Sequence, residues 1–306
     1  MKYSKIVLAG GTGYLGKVLT GYFRDKSEEI VILSRKAAGT DGRVKSVVWD
    51  GKTEGDWIKE LEGAEVLVNL CGKNVNCRYT EANKKEIVES RTIPTTLLAN
   101  VINKLNNPPQ VWINVTSATI YRHADDSPQD EMNGEIGDGF SVDVCRKWEE
   151  SFKAVKNPST RKVALRMGIV LGREDGVIPR LLNLVRTGMG GKQGSGNQMM
   201  AWVHELDVAR IAEWLVDHPI EGAVNCVAPA PVSNAEFMRL MRKAQGIPFG
   251  FPMPRWLLQI GALIIGTETE LILKSRWVMP TRLLESGYQF AFPDAEQALK
   301  DILRKK

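Results

Sequence analysis

Gly10, Gly11, Gly13 and Gly16 stand directly behind the apolar run Ile6-Val7-Leu8 and directly before an amphipathic pattern of Leu15, Val18, Leu19 and Tyr22. This order reads as buried strand, glycine turn and helix, an arrangement suited to holding phosphate. Gly10 permits a tight turn, Gly13 leaves bare backbone against a pyrophosphate, and Gly16 lets the helix lie close to the strand. Thr12, Tyr14 and Leu15 complete the turn and open the helix. There, unpaired N–H groups and a partial positive charge face an anion. A second apolar strand, Glu29 to Leu33, follows and closes a βαβ unit of dinucleotide-binding length; the plainer alternative is a structural corner.

The end of that second strand selects between dinucleotides. An acidic residue there would hold a free ribose 2′-hydroxyl, whereas the chain reads Ser34-Arg35, with Lys36 behind. A hydroxyl and a guanidinium suit a 2′-phosphate, so NADP(H) is the expected cofactor; the alternative is a solvated basic loop. Further strand ends add candidates. Asp50 would either accept from an adenine amino group or cap its own turn. Gly72, after Glu65 to Leu70, would let backbone approach the cofactor. Val111 to Val115 delivers Thr116, Ser117 and Tyr121 to the same rim.

These residues need a doubly wound α/β scaffold, a Rossmann-type parallel sheet with helices on both faces. Expected strands lie at Ser46 to Trp49, Val163 to Leu165 and Ala223 to Val227, and helices at Phe140 to Val155 and Glu205 to Val216. A long helix capped by Thr80 should kink or break at Pro94. The expected division is a dinucleotide-binding domain over 1–230, with a substrate loop inserted at about 175–203, and a smaller, mainly helical lobe over 231–306. The glycine-rich stretch GMGGKQGSG at 188–196 would serve as a flexible substrate lid or as a surface connection.

Composition limits the function classes. The 306 residues are 43% hydrophobic and 25% charged, with a net charge of +5, enough for a large core. The charge is mild and forms no dense basic stripe, which argues against nucleic acid and for small anionic ligands. The tail Arg304-Lys305-Lys306 reads as a frayed helix end. Four scattered cysteines and three histidines show no metal-ligand spacing, so no metal is expected. Trp256 to Gly266 is apolar but far shorter than the roughly 20 residues of a membrane span, and reads as a buried helix. With no room for a signal peptide before the first strand, a cytoplasmic, reducing setting is expected.

GGTGYLG, VLVNLCG and VTSATIY, in that order, resemble the extended short-chain dehydrogenase/reductases of the NAD-dependent epimerase/dehydratase group. The segments ESR (89–91), CRKWEE (145–150), LRMGIVLG (165–172), GSGNQMMAWVHELD (194–207) and the tail SGYQFAFPDAEQAL narrow the resemblance to an atypical "epimerase family protein" branch with its own C-terminal helical domain. The resemblance spans nearly the whole chain. It implies pyrophosphate binding by Gly10, Gly13 and Gly16, 2′-phosphate contacts from Ser34 and Arg35, and Leu70, Cys71 and Gly72 along the adenosine and nicotinamide path. It also implies oxidoreductase or epimerase chemistry on a small carbonyl or hydroxyl compound, sugar derivatives included, and leaves a homodimer through paired helices open. In active members a Tyr-x-x-x-Lys pair moves the proton and an upstream serine orients the carbonyl. Ser117 matches that serine, but the pair's positions read Ser141 and Cys145, and shifting by two residues gives Asp143 and Lys147. Three substitutes are expected. Tyr121 would bring a phenol, Arg91 a positive charge, and Cys145 a thiolate if Arg91 or the cofactor lowered its pKa. Their alternatives are loop packing, an ion pair and a small buried hydrophobe. Asn74, Arg78, Tyr79 and Trp202 would wall the substrate pocket, with His204 a hydrogen-bonded scaffold residue. Without the pair, a non-catalytic NADP(H)-binding sensor or regulator is the rival reading.

Overall fold

A computed structural model of the chain describes residues 1–36, 39–266 and 268–304. Lys305 and Lys306 of the basic tail lie outside the described residues. The elements in order are β1 (Tyr3–Ala9), α1 (Tyr14–Phe23), β2 (Ser27–Ser34), β3 (Thr40–Asp41), β4 (Val44–Val48), β5 (Val66–Asn69), α2 (Glu81–Ile102), β6 (Val111–Ser117), α3 (Phe140–Phe152), β7 (Arg161–Met167), β8 (Ile169–Leu171), α4 (Ile178–Arg186), β9 (Met199–Met200), β10 (Trp202–His204), α5 (Glu205–Asp217), β11 (Gly222–Cys226), β12 (Val232–Ser233), α6 (Asn234–Ala244), α7 (Arg255–Ile265), α8 (Glu270–Leu273), α9 (Thr281–Glu285) and α10 (Ala295–Leu303).

The central sheet has the order β11-β7-β6-β5-β1-β2-β4-β3. Every pairing in it is parallel except β3 with β4. β1 is apolar because both its faces are covered. Ile6 and Leu8 pack into one core layer with Leu19, Phe23 and Leu215, while Val7 and Ala9 pack into the other with Leu98, Ile102 and Trp112. This parallel sheet brings the ends of β1, β2, β4, β5 and β6 to one edge, the edge where ligands of such sheets bind.

A third core defines the second lobe. It joins Ile178, Leu181 and Val185 of α4 and the buried Trp202 to Phe237 and Met241 of α6 and Leu299 of α10. The segment expected as an insertion thus shares this core with the C-terminal helices. The C-terminal tail also returns to the sheet, where Leu283 and Tyr288 join the first core layer.

Three local expectations change. α2 runs unbroken through Pro94; the proline ring is buried, packing beside Gly51, so tertiary contact offsets the missing hydrogen bond. α7 is not a buried helix. Leu258 and Ala262 form its inner stripe, while Trp256 and Leu263 are 61% and 67% exposed. The glycine-rich stretch is stapled rather than free: Gly191 and Gly194 N–H donate to Phe251 and Met253 carbonyls, and the Phe251 and Met253 amides donate back to Gly188 and Lys192. A side chain at Gly191 would put its Cβ 2.5 Å from the Phe251 backbone, so glycine is used there for close approach. Among the described residues no helix is long and apolar enough to cross a membrane.

The backbone of α1 packs directly on the glycine turn. A Cβ at Gly16 would lie 2.0 Å from the Gly11 carbonyl oxygen, backbone that cannot yield cheaply. Gly16→Val should destabilise the protein by about 3 kcal/mol or prevent folding, read as a lowered denaturant midpoint. A midpoint within error of wild type would contradict this packing.

Candidate functional site

The glycine turn is built as a cradle. Gly10 has φ +74, and a Cβ there would meet the Cys71 sulfur at 2.9 Å, so a side chain would fail on both counts. Gly13 precedes α1 with extended backbone and no side-chain cap, and a Cβ built on it meets nothing within 4 Å. The opening turn of α1 thus presents backbone N–H groups to open space, the arrangement a pyrophosphate requires. The residues fit a dinucleotide. Thr12 is exposed at this turn and Leu15 packs against the core. Tyr14 turns away: its hydroxyl donates to Glu205 of α5. Burial and that carboxylate push the phenol pKa upward, so Tyr14 pins α1 rather than facing the phosphates.

At the end of β2, Ser34 is buried and its hydroxyl donates to the Lys36 carbonyl at 2.6 Å, shaping the loop that holds Arg35. Arg35 is exposed and makes no ion pair with the described residues, leaving its guanidinium open to an anion. Asp50 caps its own turn, accepting from the amides of Lys52 and Thr53 at 2.8 and 2.9 Å. The Thr53 and Lys52 amides and the Thr53 hydroxyl hold its carboxyl below the usual range. Leu70 packs against the first core layer. Cys71 lies against Gly10, its amide donating to Asn69 Oδ1 at 3.1 Å, and burial pushes its thiol up to about 12. Gly72 passes beside the Arg91 guanidinium, where a Cβ would lie 3.1 Å from its central carbon.

The expected proton carriers are placed otherwise. Tyr121 is 2% exposed, and its phenol donates to Asn225 at 3.1 Å and accepts from Arg166 at 2.8 Å. Arg166 is held by Glu149 through two 2.8 Å bonds. Tyr121 therefore belongs to a buried strut linking β6, β7, β11 and α3, closed to substrate. Cys145 is buried beside it, and burial, with Glu149, pushes its thiol up to about 12 against the positive charges of Arg91, Lys274 and Arg166, the surroundings of a small buried hydrophobe. Arg91 donates to the carbonyls of Lys73 and Ile87 at 2.9 Å each and lies over the Trp148 ring, so it clasps the β5–α2 loop. Trp202 is fully buried, with its indole N–H on the Ala230 carbonyl, and is core rather than pocket wall. His204 caps α5, accepting from the Leu206 amide at 3.1 Å.

Ser117 remains at the rim, half-buried, accepting from the Thr119 amide at 3.2 Å. Asn74 is exposed but folds onto its own loop, accepting from the Asn76 amide. Arg78 pairs with Glu268 at 3.3 Å, joining the loop after β5 to the C-terminal lobe. The adjacent Tyr79 packs edge-on against Phe140, and its phenol is within hydrogen-bonding reach of Ser141. Ser141 in turn donates to Glu270 at 3.1 Å.

Beyond this lies a cleft of about 630 Å³ lined by His123, Asp138, Ser195, Gln198, Glu270 and Lys274. Lys274 Nζ donates to the Thr119 carbonyl at 2.9 Å, and the buried Arg276 donates to Thr119 Oγ1 at 3.2 Å. Sequence reading missed Glu270, Lys274 and Arg276. They stand in a segment with no motif of their own and reach the rim only because the C-terminal lobe folds back over β6.

A parallel sheet with a glycine cradle at its carboxyl edge and a cleft under a second lobe defines a dinucleotide-site α/β protein of Rossmann type. The chain belongs to the NAD dependent epimerase/dehydratase family, whose model matches residues 6–227. Residues 253–302 match a domain of unknown function (DUF1731). Epimerase family protein SDR39U1 of Mus musculus is 33% identical over 304 residues, covering 98% of this chain and 99% of the relative. Epimerase family protein YfhF of Bacillus subtilis is 28% identical over 306 residues, covering 97% of each. Among solved structures, human epimerase family protein SDR39U1 (isoform 2), crystallised with NADPH, is 32% identical, with a TM-score of 0.87 over 99% of this chain and 100% of that one. UDP-N-acetylglucosamine 4-epimerase from Methanobrevibacter ruminantium, 14% identical with a TM-score of 0.76, shares the fold.

The burial of Cys145 has a direct consequence. Iodoacetamide at pH 8 should leave it unmodified in the native protein and alkylate it only after denaturation, as read by peptide mass spectrometry. Native labelling at a rate near that of an exposed thiol would show that the pocket around it is open.

Proposed function

We propose that this chain binds NADP(H) across the carboxyl edge of its sheet and acts as an oxidoreductase or epimerase on a small carbonyl or hydroxyl compound in the adjoining cleft. The observation that carries the reading is an open cradle at Gly13 together with an exposed Arg35 at the end of β2 that makes no ion pair among the described residues. The NADPH in the crystal structure of the human relative supports it. Gly10 and Gly13 and the first turn of α1 would hold the pyrophosphate, Arg35 the 2′-phosphate, and the backbone at Cys71 and Gly72 would flank the nicotinamide path. When bound, the cofactor supplies or accepts a hydride. Ser117 would orient the substrate oxygen at the rim. Four free cysteines support a reducing compartment, and the cytoplasm is the one proposed.

A non-catalytic NADP(H)-binding regulator is the second reading, favoured by the burial of Tyr121 and Cys145, which removes two expected proton carriers. Sustained NADPH oxidation with a panel of aldehydes and ketones separates the two readings.

Fluorescence titration of the nucleotide-free protein tests cofactor choice. NADPH should bind more tightly than NADH, and Arg35→Ala should weaken NADPH about tenfold or more, with little effect on NADH. Binding of neither nucleotide would defeat the proposal. Gly13→Val should weaken both nucleotides while shifting the denaturant midpoint by less than Gly16→Val, since its side chain enters open space. Equal losses of stability in the two variants would contradict the cradle.

A further inference from the structure

The lining of the cleft includes a cation, Lys274. Lys274 leaves the end of α8 and reaches Thr119, its ammonium donating to the carbonyl at 2.9 Å. The Thr119 amide donates to Ser117 Oγ at 3.2 Å. One residue thus ties the rim serine to the lysine from the other lobe. This bond uses one of the three N–H donors of an ammonium, and Lys274 also lines the cleft.

We propose that Lys274 is the catalytic acid/base of this site, giving a proton to the substrate oxygen during reduction and taking it back during oxidation. The inference rests on the NADP(H)-dependent reading above and assigns its missing proton path. In the reducing direction, the carbonyl carbon receives the hydride, with its two electrons, that reduced NADPH supplies. The carbonyl π bond breaks toward oxygen, and that oxygen takes a proton from Lys274 Nζ. A C–H and an O–H bond form, oxidised NADP remains, and the neutral lysine amine regains a proton from water entering the cleft. Ser117 orients the oxygen, and Arg276 is a positioning residue.

The surroundings suit a proton that can leave. Burial and the guanidinium of Arg276 hold the Lys274 ammonium below the usual lysine range, while the carboxylates of Glu270 of α8 and Asp138 ahead of α3 work in the opposite direction. His123 and Arg255 complete the charged groups lining the cleft. Arg276 is fully buried behind Thr119, with Nη1 on the Lys274 carbonyl at 3.2 Å, so the cation that favours proton loss is fixed in place. Tyr121, Arg91 and Cys145 offer no comparable group at the cleft surface.

Two readouts test this. Trace acetylation of the NADPH-bound protein with acetic anhydride across pH, with Lys274 followed by mass spectrometry, should give Lys274 a lower midpoint than free Nα-acetyl-lysine amide labelled in the same tube. Arg276→Gln should move that midpoint upward. With NADPH and phenanthrenequinone as probe carbonyl, Lys274→Met should lower kcat about 100-fold with NADPH affinity unchanged. Lys274→Arg, which keeps the charge but cannot release the proton, should lose activity equally. A Lys274 midpoint equal to or above that of the free lysine amide, or full kcat in Lys274→Met, overturns the inference while leaving the cofactor reading intact. Failure of the wild type to bind NADPH overturns both.

Discussion

The close approach of α1 to the glycine turn is the constraint on which this structure rests. With no side chain at Gly16, the helix backbone can lie against Gly11, where a Cβ would stand only 2.0 Å from its carbonyl oxygen. That contact sets the angle of α1, directs its free N–H groups across the carboxyl edge of the sheet, and brings Tyr14 within reach of Glu205 on α5. The same turn bears on Cys71 through Gly10, so β1, β5 and α1 meet within one short stretch of backbone.

A second linkage joins the cradle to the cleft. Arg78 with Glu268, Ser141 with Glu270, and Lys274 and Arg276 with Thr119 all connect the sheet's rim to the segment around α8. These contacts are polar and partly exposed, unlike the apolar core that holds α4, α6 and α10 together. A lobe attached to the site by such bonds can position charge over a substrate, whereas packing alone could only exclude water. The burial of Arg166 with Glu149 beneath Tyr121 serves a different end, locking β6, β7 and α3 so that the rim stays in register.

The two halves of the site differ in how readable they were. The cradle was legible in the residues because strand, turn and helix are neighbours in the chain, and glycine there has few other uses. The alternation of buried strands and amphipathic helices likewise foretold the parallel sheet with close boundaries. Asp50 left two readings open, and the turn amides it accepts from show the capping one. Tyr121 was placed at the rim by its position after β6, and Cys145, Arg91 and Trp202 by the family resemblance, yet Tyr121, Cys145 and Trp202 are buried and Arg91 clasps a loop. Position along a strand end does not say which face a loop residue takes.

By itself, then, the sequence determined the strand–glycine turn–helix unit, the alternation of buried strands and amphipathic helices, and the Ser34-Arg35 pair that stands after β2 where an acidic residue would select NAD. All of these depend on contacts between residues close in the chain or on a periodicity repeated over many of them. Only the tertiary structure decided which groups face the cleft. Lys274 meets Thr119 across 155 positions, and nothing in either residue's local pattern encodes that meeting. It arises from the apolar packing of α4, α6 and α10, a distributed effect that carries the C-terminal segment to the rim.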